Sequence, residues 1–177
     1  ANSAQAEFAI RKEQIMYRRI LVPIDGSSAS SRGLEEAIRL AKNQAARLRL
    51  VHVVDEYVAY QSYDMSGAGF YAGDLIDSLR ESGSKMVDKA LAIVRKRGIK
   101  AESAMFESIA GRVADLVIGE AKKWRADLIV MGTHGRRGVN RLVLGSDAEI
   151  VAMLAPVPVL LVKAPGRKAR RGKTKAR

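Results

Sequence analysis

Short aliphatic runs alternate along this chain with longer runs whose apolar residues recur every three or four positions, and few folds admit that alternation. Arg19–Ile24, Leu48–Val54, Lys100–Glu107, Asp127–Met131 and Val157–Val162 read as strands. Ser30–Ala46, Asp74–Arg97, Ile109–Trp124 and Ser146–Leu154 read as helices. Strand and helix taking turns predicts a parallel sheet with helical crossovers. The fold class expected is single-domain α/β, an open five-stranded parallel sheet with helices on both faces. Helical spacing puts Leu34, Ala37, Ile38 and Ala41 on the buried side of the first helix, and Leu75, Leu79, Met86, Ala90, Ile93 and Val94 on that of the second. Val113, Leu116, Val117 and Ala121 do the same for the third. Gly98 is expected to end the second helix as a left-handed cap.

Composition agrees. With 177 residues there is material for one core, and 47% hydrophobic but only 5% aromatic residues makes that core aliphatic, as buried parallel strands require. No cysteine is present, which excludes disulfides, iron–sulfur clusters and thiol catalysis. His52 and His134 lie far apart in sequence, so no structural metal is expected. No run approaches the ~20 apolar residues that cross a bilayer, and no signal peptide is visible, so a cytoplasmic protein is expected.

The net charge of +12 raises the question of nucleic acid. Seven lysines and arginines crowd the last eleven residues with no acid among them, leaving about +5 for the rest. Residues 165–177 thus read as a basic tail too poor in apolar residues to fold, and residues 1–16 as an N-terminal extension. The basic run lacks the interleaved aromatics that stack on bases, so any nucleic-acid association through it would be electrostatic.

Chemistry concentrates in Gly132-Thr133-His134-Gly135-Arg136-Arg137-Gly138, which leaves the C-terminal end of an aliphatic strand. In open α/β sheets ligands bind outside those ends. Glycines let backbone N–H groups approach an anion, and Gly145-Ser146 then opens a helix whose first N–H groups lack partners. Arg136, Arg137 and Arg141 supply countercharge. Glycines that merely turn and a serine that merely caps would explain an arbitrary pair. The strand-end position and the second glycine at a helix start favour a phosphate cradle.

The pattern Gly132-x2-Gly135-x9-Gly145-Ser146 resembles the nucleotide motif of the universal stress protein family. Ile20-Leu21-Val22-Pro23-Ile24-Asp25-Gly26-Ser27, Leu50-Val51-His52-Val53-Val54 and Ala155-Pro156-Val157-Pro158-Val159-Leu160-Leu161-Val162 carry the likeness from about Tyr17 to Lys163. It implies a universal stress protein domain over 17–164, with a Rossmann-like, adenine nucleotide α-hydrolase-like sheet. It implies ATP as ligand, with Pro23 and Val53 beside the nucleoside, Val53 by its backbone, Met131 and Gly132 along the ribose, and Thr133, Asp147 and Ala148 completing the expected binding set. Gly135, Arg136, Gly145 and Ser146 would hold phosphates. Asp25 would lie near ribose and phosphates and could act through a phosphate-bound Mg ion. Strand-end packing accounts for Pro23 and Val53 as well as contact does, and helix capping competes for Asp25. Asp147 and Ala148 follow where the family often carries small or apolar residues; the Asp147 carboxylate would repel a phosphate if turned inward, while its N–H could still donate. A homodimer through the Val157–Val162 strand is also implied, consistent with an apolar edge that invites pairing.

Gly67-Ala68-Gly69-Phe70-Tyr71-Ala72 matches a loose dinucleotide fingerprint but does not join a strand to a helix, so it reads as loop. There is no P-loop and no G-x-S-x-G elbow. The loop offers no clear general base besides Asp25 or His134, so a nucleotide-binding stress module with slow hydrolysis at most is expected, rather than a dedicated ATPase. The rival readings are a nucleotide-free dimeric interaction protein of the same family and tail-mediated nucleic-acid association.

Overall fold

A computed structural model describes residues 17–56, 72–108, 112–135 and 144–164. Nine elements alternate: β1 (Arg19–Pro23), α1 (Ser28–Gln44), β2 (Arg47–Asp55), α2 (Ala72–Lys96), β3 (Ala101–Ser108), α3 (Val113–Trp124), β4 (Leu128–Gly132), α4 (Ser146–Leu154) and β5 (Val159–Val162). All strand pairs are parallel, in the order β3-β2-β1-β4-β5. Strand order reverses between β1 and β4, and at that switch point the crossovers on either side splay apart to leave a crevice.

Side-chain alternation divides the core in two. Ile20, Val22, Leu48, Leu50 and Val130 face α1 and α2, meeting Leu34, Ile38, Val87, Leu91 and Val94. Leu21, Val51, Ile129 and Met131 face α3 and α4, meeting Ala114, Val117, Ala121, Ala148 and Val151. Ile20, Leu21 and Val22 are fully buried, each such side chain stabilising the fold by about 1.5–3 kcal/mol. Charge is admitted to the second layer only with partners. The ring of Trp124 lies within 5.9 Å of the Arg19 guanidinium and 5.7 Å of that of Arg49, and Arg49 pairs with buried Glu120 at 2.6 Å.

Several boundaries differ from expectation. The buried stripe of α2 runs through Ile76, Val87, Ala90, Leu91 and Val94, whereas Leu75 and Ile93 are exposed. That helix has more apolar residues than one face can hold, and packing on β2 and β3 selects which of them turn inward. It begins at Ala72, two residues before the expected start, and Gly98 follows its end at φ 77 as expected. Helix α3 starts at Val113 with Arg112 extended ahead of it, later than the expected Ile109; residues 109–111 are outside the described set. Strand β5 begins at Val159, because Pro156 and Pro158 have no N–H to give a ladder. The Gly67–Ala72 fingerprint, apart from Ala72 at the start of α2, the 1–16 extension and the 165–177 tail also lie outside the described residues.

Candidate functional site

A cleft of about 330 Å³ opens at the switch point, over the C-terminal ends of β1, β2 and β4. Its apolar wall is Pro23, Val51, Val53, Val113, Val117 and Met131; its polar rim is Asp25, Ser30, Asp55, His134 and the two glycine turns at Gly135 and Gly145. The wall follows from the sheet's period of two, since Pro23, Val51, Val53 and Met131 share the face that α3 and α4 cover. Small-molecule sites typically occupy about 300–1,000 Å³ and pair such apolar walls with a few directed polar groups.

The two glycine turns are held together. Gly145 N–H donates to Thr133 O at 3.0 Å, and Thr133 N–H to Val162 O at 2.9 Å, so the chain returns from residue 145 to the strand end it left at 132. Each glycine is required for a different reason. A Cβ on Gly132 would lie 2.7 Å from the Ala29 carbonyl carbon and 2.8 Å from Ser30 N, because the start of α1 crosses the end of β4 there. Among the described residues a Cβ on Gly135 would meet only the tip of Asp25, at 2.9 Å from Oδ2. Gly145, extended at φ −66 and ψ 143, is the N-cap of α4 and makes no side-chain cap, which leaves the first N–H groups of that helix turned to the cleft rim at Ser146, Asp147 and Ala148.

Asp25 does not cap α1. Ser27 does, its Oγ accepting from Ser30 N–H at 3.0 Å, while Asp25 Oδ1 accepts from Ser27 N–H at 2.9 Å. The Asp25 carboxylate is thereby fixed on the rim opposite Gly135. Asp147 serves a different helix, its Oδ1 accepting from Ala114 N–H at 3.3 Å in the first turn of α3. Arg112, the N-cap of α3, makes no side-chain cap bond, so the cap is supplied by α4. Farther along the rim, Glu56 is buried beside Arg80, which also bonds Glu107 at 2.8 Å and Asp77 at 3.0 Å. The Glu107 hydrogen bond, ahead of the other carboxylates, raises the Arg80 guanidinium above its ordinary value.

Comparison with known proteins decides the family. The family model described as "Universal stress protein family" matches residues 16–163. The chain belongs to the universal stress protein family. It is 35% identical over 156 residues to a universal stress protein of Methanocaldococcus jannaschii, covering 88% of each chain. Among solved structures it resembles a universal stress protein family member from Burkholderia pseudomallei, with 34% identity, TM-score 0.66, and 84% and 97% of the two chains covered. It shares its fold with the universal stress protein from Archaeoglobus fulgidus solved in complex with dAMP, at 24% identity, TM-score 0.57, and 84% and 100% coverage.

In this universal stress protein, ten of the twelve expected site residues line the one cleft: Pro23, Asp25, Val53, Met131, Gly132, Gly135, Gly145, Ser146, Asp147 and Ala148. Thr133 is buried and turns its hydroxyl to His134 Nδ1 at 2.9 Å rather than into the cleft, which it serves through its carbonyl. Arg136 lies outside the described residues. Ile24, Ser30, Val51, Asp55, Val113, Val117 and His134 also line the cleft without belonging to the expected set. Two of them were within reach of the sequence, since Val51 and Asp55 stand two residues either side of Val53 on one strand face. His134 is half-buried on the rim. His52 lies outside the cleft, its Nδ1 2.8 Å from Ile24 O on the opposite face of the sheet. Among the described residues no group of three His, Cys, Asp or Glu could hold a metal ion, so a cation at Asp25 would need oxygens from a ligand or water. No helix among the described residues is long and apolar enough to cross a membrane.

Proposed function

We propose that this protein binds an adenine nucleotide such as ATP in the cleft at the β1–β4 switch point. The observation that carries the reading is the closure of two glycine turns by the Gly145-to-Thr133 hydrogen bond, which sets the bare start of α4 beside an apolar slot. The base fits the slot between Val53, Pro23 and the α3 valines, the ribose the Met131–Gly132 strand end, and the phosphates the N–H groups of Gly135, Ser146, Asp147 and Ala148. Two supports come from relatives: the Archaeoglobus fulgidus protein is solved in complex with dAMP and another universal stress protein in complex with cAMP. Mg would enter with the phosphates at Asp25. Binding, rather than rapid turnover, is the activity we read here: among the described residues Asp25 Oδ1 accepts from Ser27 N–H and His134 Nδ1 lies at hydrogen-bond distance from Thr133 Oγ1, so both candidate bases are engaged within the protein.

The test is direct. The purified protein is denatured and the released nucleotide identified, then the same is done for Gly135→Val and Gly145→Val. Loss of nucleotide from both variants, with unchanged circular dichroism, is expected; retention in both would overturn the site. Hydrolysis at rates of dedicated ATPases, about 1 per second or faster, would overturn the binding role.

The second part of the proposal is a homodimer through β5. This strand ends the sheet, and Leu160 on it, with Met153 and Leu154 on α4, are exposed at 36%, 74% and 61%. An apolar edge of that kind is covered in stable proteins.

A further inference from the structure

The opposite end of the sheet carries a second concavity, of about 940 Å³, where the strands begin and α1 and α2 end. Arg18, Lys42, Arg47, Arg97 and Lys100 line it, all exposed, and no acidic residue lines it among the described residues. None of these five side chains makes an ion pair among the described residues; the pairs formed use Arg32, Arg39, Arg49, Arg80 and Lys85. Asp127, the nearest acid in the sheet, spends its carboxylate on the N–H groups of Arg18 and Arg19, at 2.8 and 3.1 Å.

Helix ends explain only part of this. Lys42 and Arg97 stand at C-termini, where a cation complements the macrodipole. Strands have no comparable dipole, yet Arg18 and Lys100 immediately precede β1 and β3, and Arg47 opens β2 between them. Arg47 N–H donates to Arg18 O and Leu48 N–H to Lys100 O, both at 2.9 Å. The register sets Arg47 level with Arg19 and Leu48 level with Ala101, so Arg18 stands one residue ahead of the Arg47 level and the cations gather at one end of the sheet without forming a single row. Like charges gathered at one end of the sheet repel one another. The floor beneath is Ala45, Ala46 and Gly98, small enough for an extended chain to reach the cations.

We infer that this basic groove binds a linear phosphate chain through its backbone charge, at a site separate from the nucleotide cleft. A protein partner is disfavoured because protein interfaces are anchored by buried aromatic and apolar side chains, and none of the exposed large hydrophobics lines the groove. No aromatic among the described residues lines it either, so those residues stack no bases and recognise the chain independently of sequence. A DNA duplex and inorganic polyphosphate both offer this chemistry.

The full chain, tail included, is titrated with a random-sequence DNA duplex and with inorganic polyphosphate over a range of salt. The triple variant Arg18→Gln, Arg47→Gln, Lys100→Gln is compared with a control of equal charge loss elsewhere, Arg32→Gln, Arg39→Gln, Lys85→Gln. The groove variant is expected to lose affinity at least about tenfold at low salt and to flatten the duplex salt slope by about 3, with the control close to the parent. Lys42 and Lys100 should be protected from acetylation by the bound chain, and Lys85 not. Loss with both probes identifies the shared phosphate chemistry, and loss with one identifies its source. Equal affinity of the groove variant and the parent would assign binding to the tail, equal loss in the control would assign it to overall charge, and failure of both probes to bind would remove the site; each overturns the inference.

Discussion

Gly132 and Gly135 sit three residues apart in one loop, yet substitution should separate them cleanly. A methyl on Gly132 runs into backbone at Ala29 and Ser30, which cannot rotate away, so Gly132→Ala should lower stability by about 1–3 kcal/mol in denaturant titration. Among the described residues a methyl on Gly135 meets a side-chain oxygen, Asp25 Oδ2, rather than backbone, so a small shift of that carboxylate accommodates it. Gly135→Ala should therefore leave the midpoint close to the parent while weakening ATP about tenfold, the worth of roughly one hydrogen bond at the phosphates. Asp147 is separable in the same way. Its carboxylate caps α3 through Ala114 N–H while standing on the rim where phosphates are proposed to bind. Asp147→Ala should cost about 1 kcal/mol of stability through the lost cap. Asp147→Asn keeps an acceptor for Ala114 and removes a negative charge, so it should hold most of that stability and bind ATP more tightly. Weaker binding in the Asn variant, measured by calorimetry, would mean that the carboxylate serves the ligand.

Helix ends are where the elements were least legible and where they can be improved. Three helices close on left-handed residues, Ala45 after α1, Gly98 after α2 and Arg125 after α3, but only one of these is glycine. A side chain in that conformation is strained by about 1–2 kcal/mol, offset in part by the extra freedom glycine brings to the unfolded chain. Arg125→Gly should thus raise stability by about 0.5–1 kcal/mol, read as a higher thermal midpoint; an unchanged or lower midpoint would show that the arginine makes a compensating contact. The elements themselves were plain in the sequence because periods of 2 and 3.6 survive any tertiary arrangement. Gly132, Gly135 and Gly145 were plain because glycine spacing is local. What stayed hidden depends on partners remote in sequence. Nothing near Asp147 announces that it caps a helix 33 residues earlier. Nothing near Leu75 or Ile93 says that packing would choose Ile76 and Leu91 instead. The valines of α3 belong to the cleft only because that helix packs over β2 and against α4, partners remote from it in sequence.

At the scale of the whole molecule the sheet has two ends and two edges, and each has a different chemical character. Acids and helix starts gather at the C-terminal end, around Asp25, Asp55 and Glu56, while cations gather at the other. Edge β3 is charged, with Glu102 and Glu107 exposed along it, and so resists pairing. Edge β5 has no such guard: its four residues are Val159, Leu160, Leu161 and Val162. If β5 pairs two copies, the dimer depends on the Leu160 face, because Val159 and Leu161 already pack inward against the α3–α4 layer. Leu160→Lys should then convert a sedimenting dimer to monomer and make the parent's unfolding midpoint, but not the variant's, depend on concentration. ATP affinity should stay within about threefold, since no residue of β5 lines the cleft and the Val162 carbonyl that holds Thr133 is untouched. A parent that sediments as monomer would remove the dimer. A variant that becomes monomeric and also loses ATP would instead show that edge pairing reaches the glycine loop through that Val162–Thr133 bond, which ties the backbone of the edge to the cradle.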